Sequence, residues 1–291
     1  MIQWYSLALI AALFSATAAI LEKKILFKQK ALAMSTALAI FNLLLAIPFF
    51  FFISFASITS VSLGVLFFKS ILGAFAFLFV MLGIKNLEIS KALPLLVLTP
   101  GLVALFAFLI LGESLTLLQI LGLILLLIGT YVLQLKPKQK LFNTFKQALT
   151  SKGNHYIFFA LILFTITSIL DKALLKNFKL PINAFMGFQH LFLGIIFLVI
   201  IIFSKNTASL KPTFKQAGLM IFILAIITIT YRYTQISAVK IAPVALVLAL
   251  KRISVFFAVI IGGTLFKDHN LLIRILATII MVAGAVLIIV F

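Results

Sequence analysis

The sequence predicts an all-α membrane protein with ten transmembrane helices arranged as two inverted five-helix repeats. Three observations predict it. Of 291 residues, 65% are hydrophobic and only 10% charged, whereas a soluble domain is about 45–50% apolar and about 25% charged. Too few polar residues remain to cover a water-facing surface, which excludes a soluble enzyme. The apolar residues also fall into ten runs of roughly 20 residues, the length that crosses a bilayer. Finally, the second half of the chain repeats the punctuation of the first.

The runs lie at 3–21, 31–53, 62–84, 92–111, 115–135, 155–175, 181–203, 214–237, 243–265 and 270–290. They are uniformly apolar and do not alternate with period two, which argues against a transmembrane β-barrel. The first has no basic leading segment or small-residue cleavage site, so it reads as a retained span. The longest polar gap holds Lys136, Lys138, Lys140, Lys146 and Lys152. It divides the chain into a first repeat at 1–135, a basic connecting loop at 136–154 and a second repeat at 155–291.

A shift of 155 positions lays residues 83–135 on 238–290 without a gap, so that Lys85 meets Lys240, Glu113 meets Asp268 and Gly129 meets Gly284. A shift of 149 lays Ala19-Ile20-Leu21-Glu22-Lys23 on Ser168-Ile169-Leu170-Asp171-Lys172. An acid followed by lysine, at the end of the first helix of each half, is not a cheap match between apolar segments. Five spans per copy is an odd number, so tandem copies must be inverted, the architecture of secondary transporters.

The charge balance is lopsided, with 24 Lys and Arg against 5 Asp and Glu, a net charge of +19. In a soluble chain this would suggest nucleic acid. Here most basic residues sit in short gaps between apolar runs, where they act as topology signals and contacts to the lipid bilayer; no nucleic-acid partner is expected. The chain has no cysteine, which excludes disulfides and thiolate chemistry. No zinc-ligand spacing, phosphate-binding glycine loop or Ser-His-Asp set is present. No enzyme activity, cofactor or metal site is expected.

Leu93-Pro94-Leu95-Leu96-Val97-Leu98-Thr99-Pro100, then Leu111-Gly112-Glu113 and Gly129, resemble the EamA branch of the drug/metabolite transporter superfamily. The second repeat carries Phe266-Lys267-Asp268 and Gly284 at the matching places. The first helix departs from the pattern, with Phe14-Ser15 near where the family has Trp-Gly. The resemblance covers nearly the whole chain and implies a permease. It also implies both termini in the cytoplasm. The positive residues say otherwise: sixteen fall in the gaps after odd-numbered runs, against five on the other side (Lys69, Lys172, Lys176, Lys179 and Lys240), which places the termini outside. Orientation stays open.

Intramembrane charges cost at least about 2.5–3.5 kcal/mol each and are therefore functional candidates. Lys251 and Arg252 lie near the middle of the ninth run and read either as an anion clamp or as a structural pair bonded to carbonyls or acids. The pair is similar to the phosphate-binding pair of plastid triose-phosphate translocators. Arg232, flanked by Tyr231 and Tyr233, lines a cavity or belongs to an interfacial aromatic belt. Pro94 and Pro100 free carbonyls and bend the fourth helix, either to line a substrate cavity, which places Thr99 and Pro100 among the candidate substrate contacts, or as a kink needed only for packing. Glu22 and Asp171 read as gate or proton-carrying residues, or as helix-end charges paired with the lysine that follows. Asp171 is the expected counter-ion of Arg232 or Lys251. His190, beside Gln189, is an interhelical hydrogen-bond partner or a proton relay. Asn42 is a similar polar candidate. Glu113 reads as a cap for the helix that follows it or as a residue with a transport role. Gly122, Gly129 and Gly284 allow close helix approach.

These readings combine into a carrier of the cell (inner) membrane working by alternating access. Its substrate is a small polar metabolite, anionic or zwitterionic, moved with protons or in exchange for a second solute. The alternatives are a drug or cationic-metabolite exporter of the same fold, and a membrane-embedded binding protein without transport.

Overall fold

A computed structural model describes residues 3–55, 58–86, 96, 98–133, 155–254, 257 and 271–291. Among these there are ten α-helices and no strand: α1 (Trp4–Leu26), α2 (Ala31–Phe50), α3 (Ser60–Asn86), α4 (Thr99–Leu111), α5 (Leu117–Leu133), α6 (His155–Lys176), α7 (Ile182–Phe203), α8 (Leu210–Ile241), α9 (Val244–Lys251) and α10 (Leu271–Val290). Six segments are long and apolar enough to cross a membrane: α1, α2, α6, α7, the 60–83 part of α3, and 207–241, which is α8 with the short 3-10 turn before it. Apolar stretches of α4, α5 and α10 are shorter. Pro94, Asp268 and the 136–154 loop lie outside the described residues.

The distribution of polarity is that of a protein solvated by lipid. Large apolar side chains face outward, among them Phe108, Leu109 and Ile110 on α4 and Ile275, Ile279 and Val282 on α10. Small residues and charges face inward. Ala8, Ala11, Ala12 and Ala16 form one buried stripe on α1, which lets that helix approach α8 closely. Glu22, Lys69, Asp171 and Lys172 are all buried.

Helix ends are set by local sequence. Gly112, at φ 62°, closes α4 in the left-handed region, and the Glu113 amide donates back to the Ala107 carbonyl at 3.2 Å. Thr116 and Gln119 form a reciprocal capping box at the start of α5: the Thr116 amide donates to Gln119 Oε1 at 3.0 Å and the Gln119 amide to Thr116 Oγ1 at 3.2 Å.

The helix neighbours follow a pattern. Exchanging α1–α5 with α6–α10 turns the α1–α8 contact into α6–α3, the α1–α9 contact into α6–α4, and the α2–α8 contact into α7–α3, all of which are present. The α2–α7, α4–α9 and α5–α10 contacts map onto themselves. In the α5–α10 pair the expected glycines meet. A Cβ on Gly122 would lie 2.7 Å from the Gly284 carbonyl oxygen, and one on Gly284 2.7 Å from that of Gly122. Only glycine permits that backbone approach.

Candidate functional site

The inward faces of these helices enclose a cavity of about 300 Å³, at the small end for ligand pockets. Its lining mixes charged groups (Lys69, Asp171, Arg232, Lys251 and Arg252), uncharged polar groups (Ser35, Asn42, Gln189, His190, Thr228 and Gln235) and apolar walls that include Phe77, Phe164 and Phe197.

Three of the charges meet in one polar network, and a fourth, Lys251, lies beside it. Lys69 on α3 lies 2.6 Å from Asp171 Oδ1 on α6 and donates to Gln189 Oε1 on α7 at 2.5 Å. Arg232 on α8 donates to the same Gln189 oxygen at 3.0 Å and pairs with Asp171 Oδ2 at 3.5 Å. Lys251, at the end of α9, donates to Gln235 Oε1 at 2.6 Å and sits 4.5 Å from the centroid of the Tyr231 ring, a cation–π position. Arg232 and Gln235 are three residues apart on one face of α8, so the two cations come to neighbouring places. Glu22 on α1 is buried but does not line the cavity.

Arg252 is the C-cap residue of α9. Pro100 has no N–H to donate to the carbonyl four residues earlier, that of Leu96. The freed Leu96 oxygen accepts from Arg252 Nη2 at 2.5 Å and from Thr99 Oγ1 at 2.7 Å. Arg252 thus fastens the end of α9 to the start of α4, and Thr99 and Pro100 shape the same joint. Thr99 lines the cavity; Pro100 is buried beside it.

A second polar joint lies outside the cavity, where Pro243 separates α8 from α9. Lys172 Nζ donates to the carbonyls of Val239 and Ala242 at 2.8 and 2.7 Å, covering the negative end of α8. Glu113 Oε2 accepts the Val244 amide at 3.0 Å, covering the positive end of α9. Lys172 Nζ and Glu113 Oε1 are 3.3 Å apart. Glu113 therefore caps α9, not the helix that follows it in sequence; Thr116 caps that one. The correction has a plain cause. Gly112 reverses the chain after α4 and leaves the carboxylate facing the α8–α9 junction.

Other expectations are corrected in the same way. Tyr233 does not line the cavity: it is 39% exposed and stacks on Phe49 at 5.8 Å, on the outer side of α8. Tyr231 faces the interior. Asp171 and Glu22 are not helix-end charges. Helix α6 continues to Lys176 and α1 to Leu26, so both acids are buried within helices. Asp171 pairs with Lys69 and Arg232 instead of the lysine that follows it. Lys69 and Lys172 are not loop residues and drop out of the topology count. His190 makes no interhelical bond among the described residues: it is 2% exposed and neither ring nitrogen has a partner.

Lys69 and Gln189 are the residues that sequence reasoning placed wrongly or passed over. The signal for Lys69 was present, since it stands inside the 62–84 run just as Lys251 stands inside the ninth. Ser35 and Thr228 gave no signal, because hydroxyls bonding backward within a helix are common in membrane spans.

The model of the EamA-like transporter family matches the chain twice, at residues 2–135 and 151–290. A solved crystal structure of a protein with 16% sequence identity superposes with a TM-score of 0.74, covering 99% of this chain and 97% of that one; at that identity the likeness concerns the fold. No curated protein matches the chain.

Proposed function

The chain belongs to the EamA-like transporter family, an integral, multi-pass membrane protein, and on that premise we propose a secondary transporter that moves a small anionic or zwitterionic metabolite across the cell membrane. The observation that carries the substrate charge is the cavity lining. Lys69, Arg232, Lys251 and Arg252 face one carboxylate, Asp171, among the described lining residues. Lys69 is the closer partner of Asp171, at 2.6 Å, and Arg252 is held by the Leu96 carbonyl. Arg232, which shares Asp171 with Lys69 at 3.5 Å, and Lys251, which donates to the neutral Gln235, form the anion clamp, with Arg232 supplying a planar fork and Lys251 a point charge. Like-charge repulsion disfavours a cationic drug at this place.

The proposed mechanism is alternating access between two inverted five-helix repeats spanning the membrane ten times. The exchange pattern of helix neighbours supports the repeats, and the Glu22/Asp171 correspondence supports their alignment. Helix α4 begins and α9 ends beside the cavity, at the Leu96–Arg252 joint, and helix ends that point at a cavity carry substrate sites in transporters. Asp171, Glu22 and His190 are the groups available to couple transport to protons; exchange for a second solute needs none of them.

The test uses the purified full chain. Thermal stability is measured against a panel of carboxylates, amino acids and organic cations, because a ligand stabilises the state it binds. Hits are then tested for counterflow in proteoliposomes. Carboxylates should stabilise, and Arg232→Gln and Lys251→Gln should each weaken that binding about tenfold to a hundredfold. Stabilisation by organic cations alone would move the exporter reading ahead. Binding without flux would favour a non-transporting protein.

A further inference from the structure

Among the described residues, the side-chain atoms that are buried without a hydrogen-bond or ion-pair partner are not scattered. Ser35 Oγ, Asn42 Oδ1, both ring nitrogens of His190 and Thr228 Oγ1 have none there, and all four residues line the cavity described above. Thr228 stands one turn before Arg232 on α8, and His190 follows Gln189 on α7, so the orphans adjoin the cationic network without belonging to it. Buried polar groups are normally bonded, and leaving one unpaired is costly. Four such residues around one space are a binding surface for something polar.

Their chemistry restricts what that is. Two hydroxyls both donate and accept, a neutral imidazole donates from one nitrogen and accepts at the other, and an amide oxygen accepts. Ligand hydroxyls, also donors and acceptors at once, satisfy such a mixed set; an alkyl chain satisfies none of it. The Asp171 carboxylate already faces Lys69 and Arg232, which leaves no free carboxylate in the described lining for a substrate ammonium group. Resting on the anion reading above, we propose that the substrate is a hydroxylated carboxylate: its carboxylate lies at Arg232 and Lys251, and its hydroxyl-bearing body lies against Ser35, Asn42, His190 and Thr228. A cavity of about 300 Å³ holds on the order of ten water-sized groups, which suits an acid of about six carbons.

The experiment compares gluconate with hexanoate, which share a carbon count and a carboxylate, by calorimetric binding to the full chain in detergent. Gluconate should bind at least tenfold more tightly. Asn42→Leu and Thr228→Val should each reduce that preference about tenfold, while the empty protein keeps or gains thermal stability, since an unpaired buried polar group is removed. That stability readout separates lost recognition from lost folding. Arg232→Gln should weaken both ligands alike. Equal binding of the two acids, or a preference surviving in the Asn42→Leu/Thr228→Val double variant, overturns the hydroxyl subsite while leaving the anion clamp standing. Binding of neither acid overturns the subsite too. Gluconate binding without flux would leave the subsite intact and sink the transport reading.

Discussion

Arg252 and Leu96 join the end of α9 to the start of α4: the guanidinium donates, at 2.5 Å, to the carbonyl that Pro100, lacking an N–H, cannot bond. A charge buried in a membrane is costly alone. Here it is matched, because the cation takes the Leu96 carbonyl that Pro100, in the first turn of α4, cannot bond.

That relationship makes Arg252 an anchor and sets a first prediction. Arg252→Gln should lower stability by about 1.5–3 kcal/mol, the worth of a hydrogen bond to a charged group, and leave anion affinity per folded molecule unchanged. Pro100→Ala restores an N–H near the Leu96 carbonyl, so Arg252→Gln should cost less in that background. A double-mutant cycle on thermal unfolding reads the coupling; strict additivity would mean that the two residues do not share the acceptor.

Lys69 and Asp171 form a buried pair at 2.6 Å. Asp171→Asn leaves Lys69 without its counter-ion and should destabilise by about 3–5 kcal/mol. Adding Lys69→Met should return most of that loss. If Asp171 also carries a proton during transport, the rescued double variant should lose the pH dependence of flux; an unchanged pH profile would assign the acid a structural role only.

Glu113 is predicted to stabilise α9 and not α5. Glu113→Ala and Lys172→Met should be strongly non-additive, since the groups are 3.3 Å apart and hold the same junction. Thr116→Ala removes the separate cap of α5 at a cost of about 1 kcal/mol and should add to Glu113→Ala without coupling. Coupling between Thr116 and Glu113, with none between Glu113 and Lys172, would restore the local-cap reading.

The proposed ten-span topology would put the α1–α2 turn and the α6–α7 turn on opposite membrane faces. Because the chain has no cysteine, Lys28→Cys and Lys179→Cys each create a lone thiol at an exposed position. In intact cells an impermeant maleimide should label one and spare the other. Labelling of both from the outside would contradict the span count.

The sequence by itself determined the membrane class, the positions of nearly every helix and the family. Those depend on length, mean polarity and short-range punctuation, all of which are local. It also marked Lys251, Arg252, Arg232, Asp171 and His190, because any polar residue in an apolar run is conspicuous. It did not determine partners. Asp171 stands beside Lys172 in sequence yet faces Lys69 and Arg232 from two other helices. Glu113 is followed at once by α5 yet covers the amide end of α9. Tyr231 and Tyr233 are two residues apart and so point to different sides of α8, one under Lys251 and the other against Phe49. Which of two neighbours turns inward depends on helix rotation, and rotation is fixed by packing. The small-residue stripe of α1, the glycine contact between α5 and α10 and the proline joint at Leu96 set it together, and only the tertiary structure brings those distant positions into register.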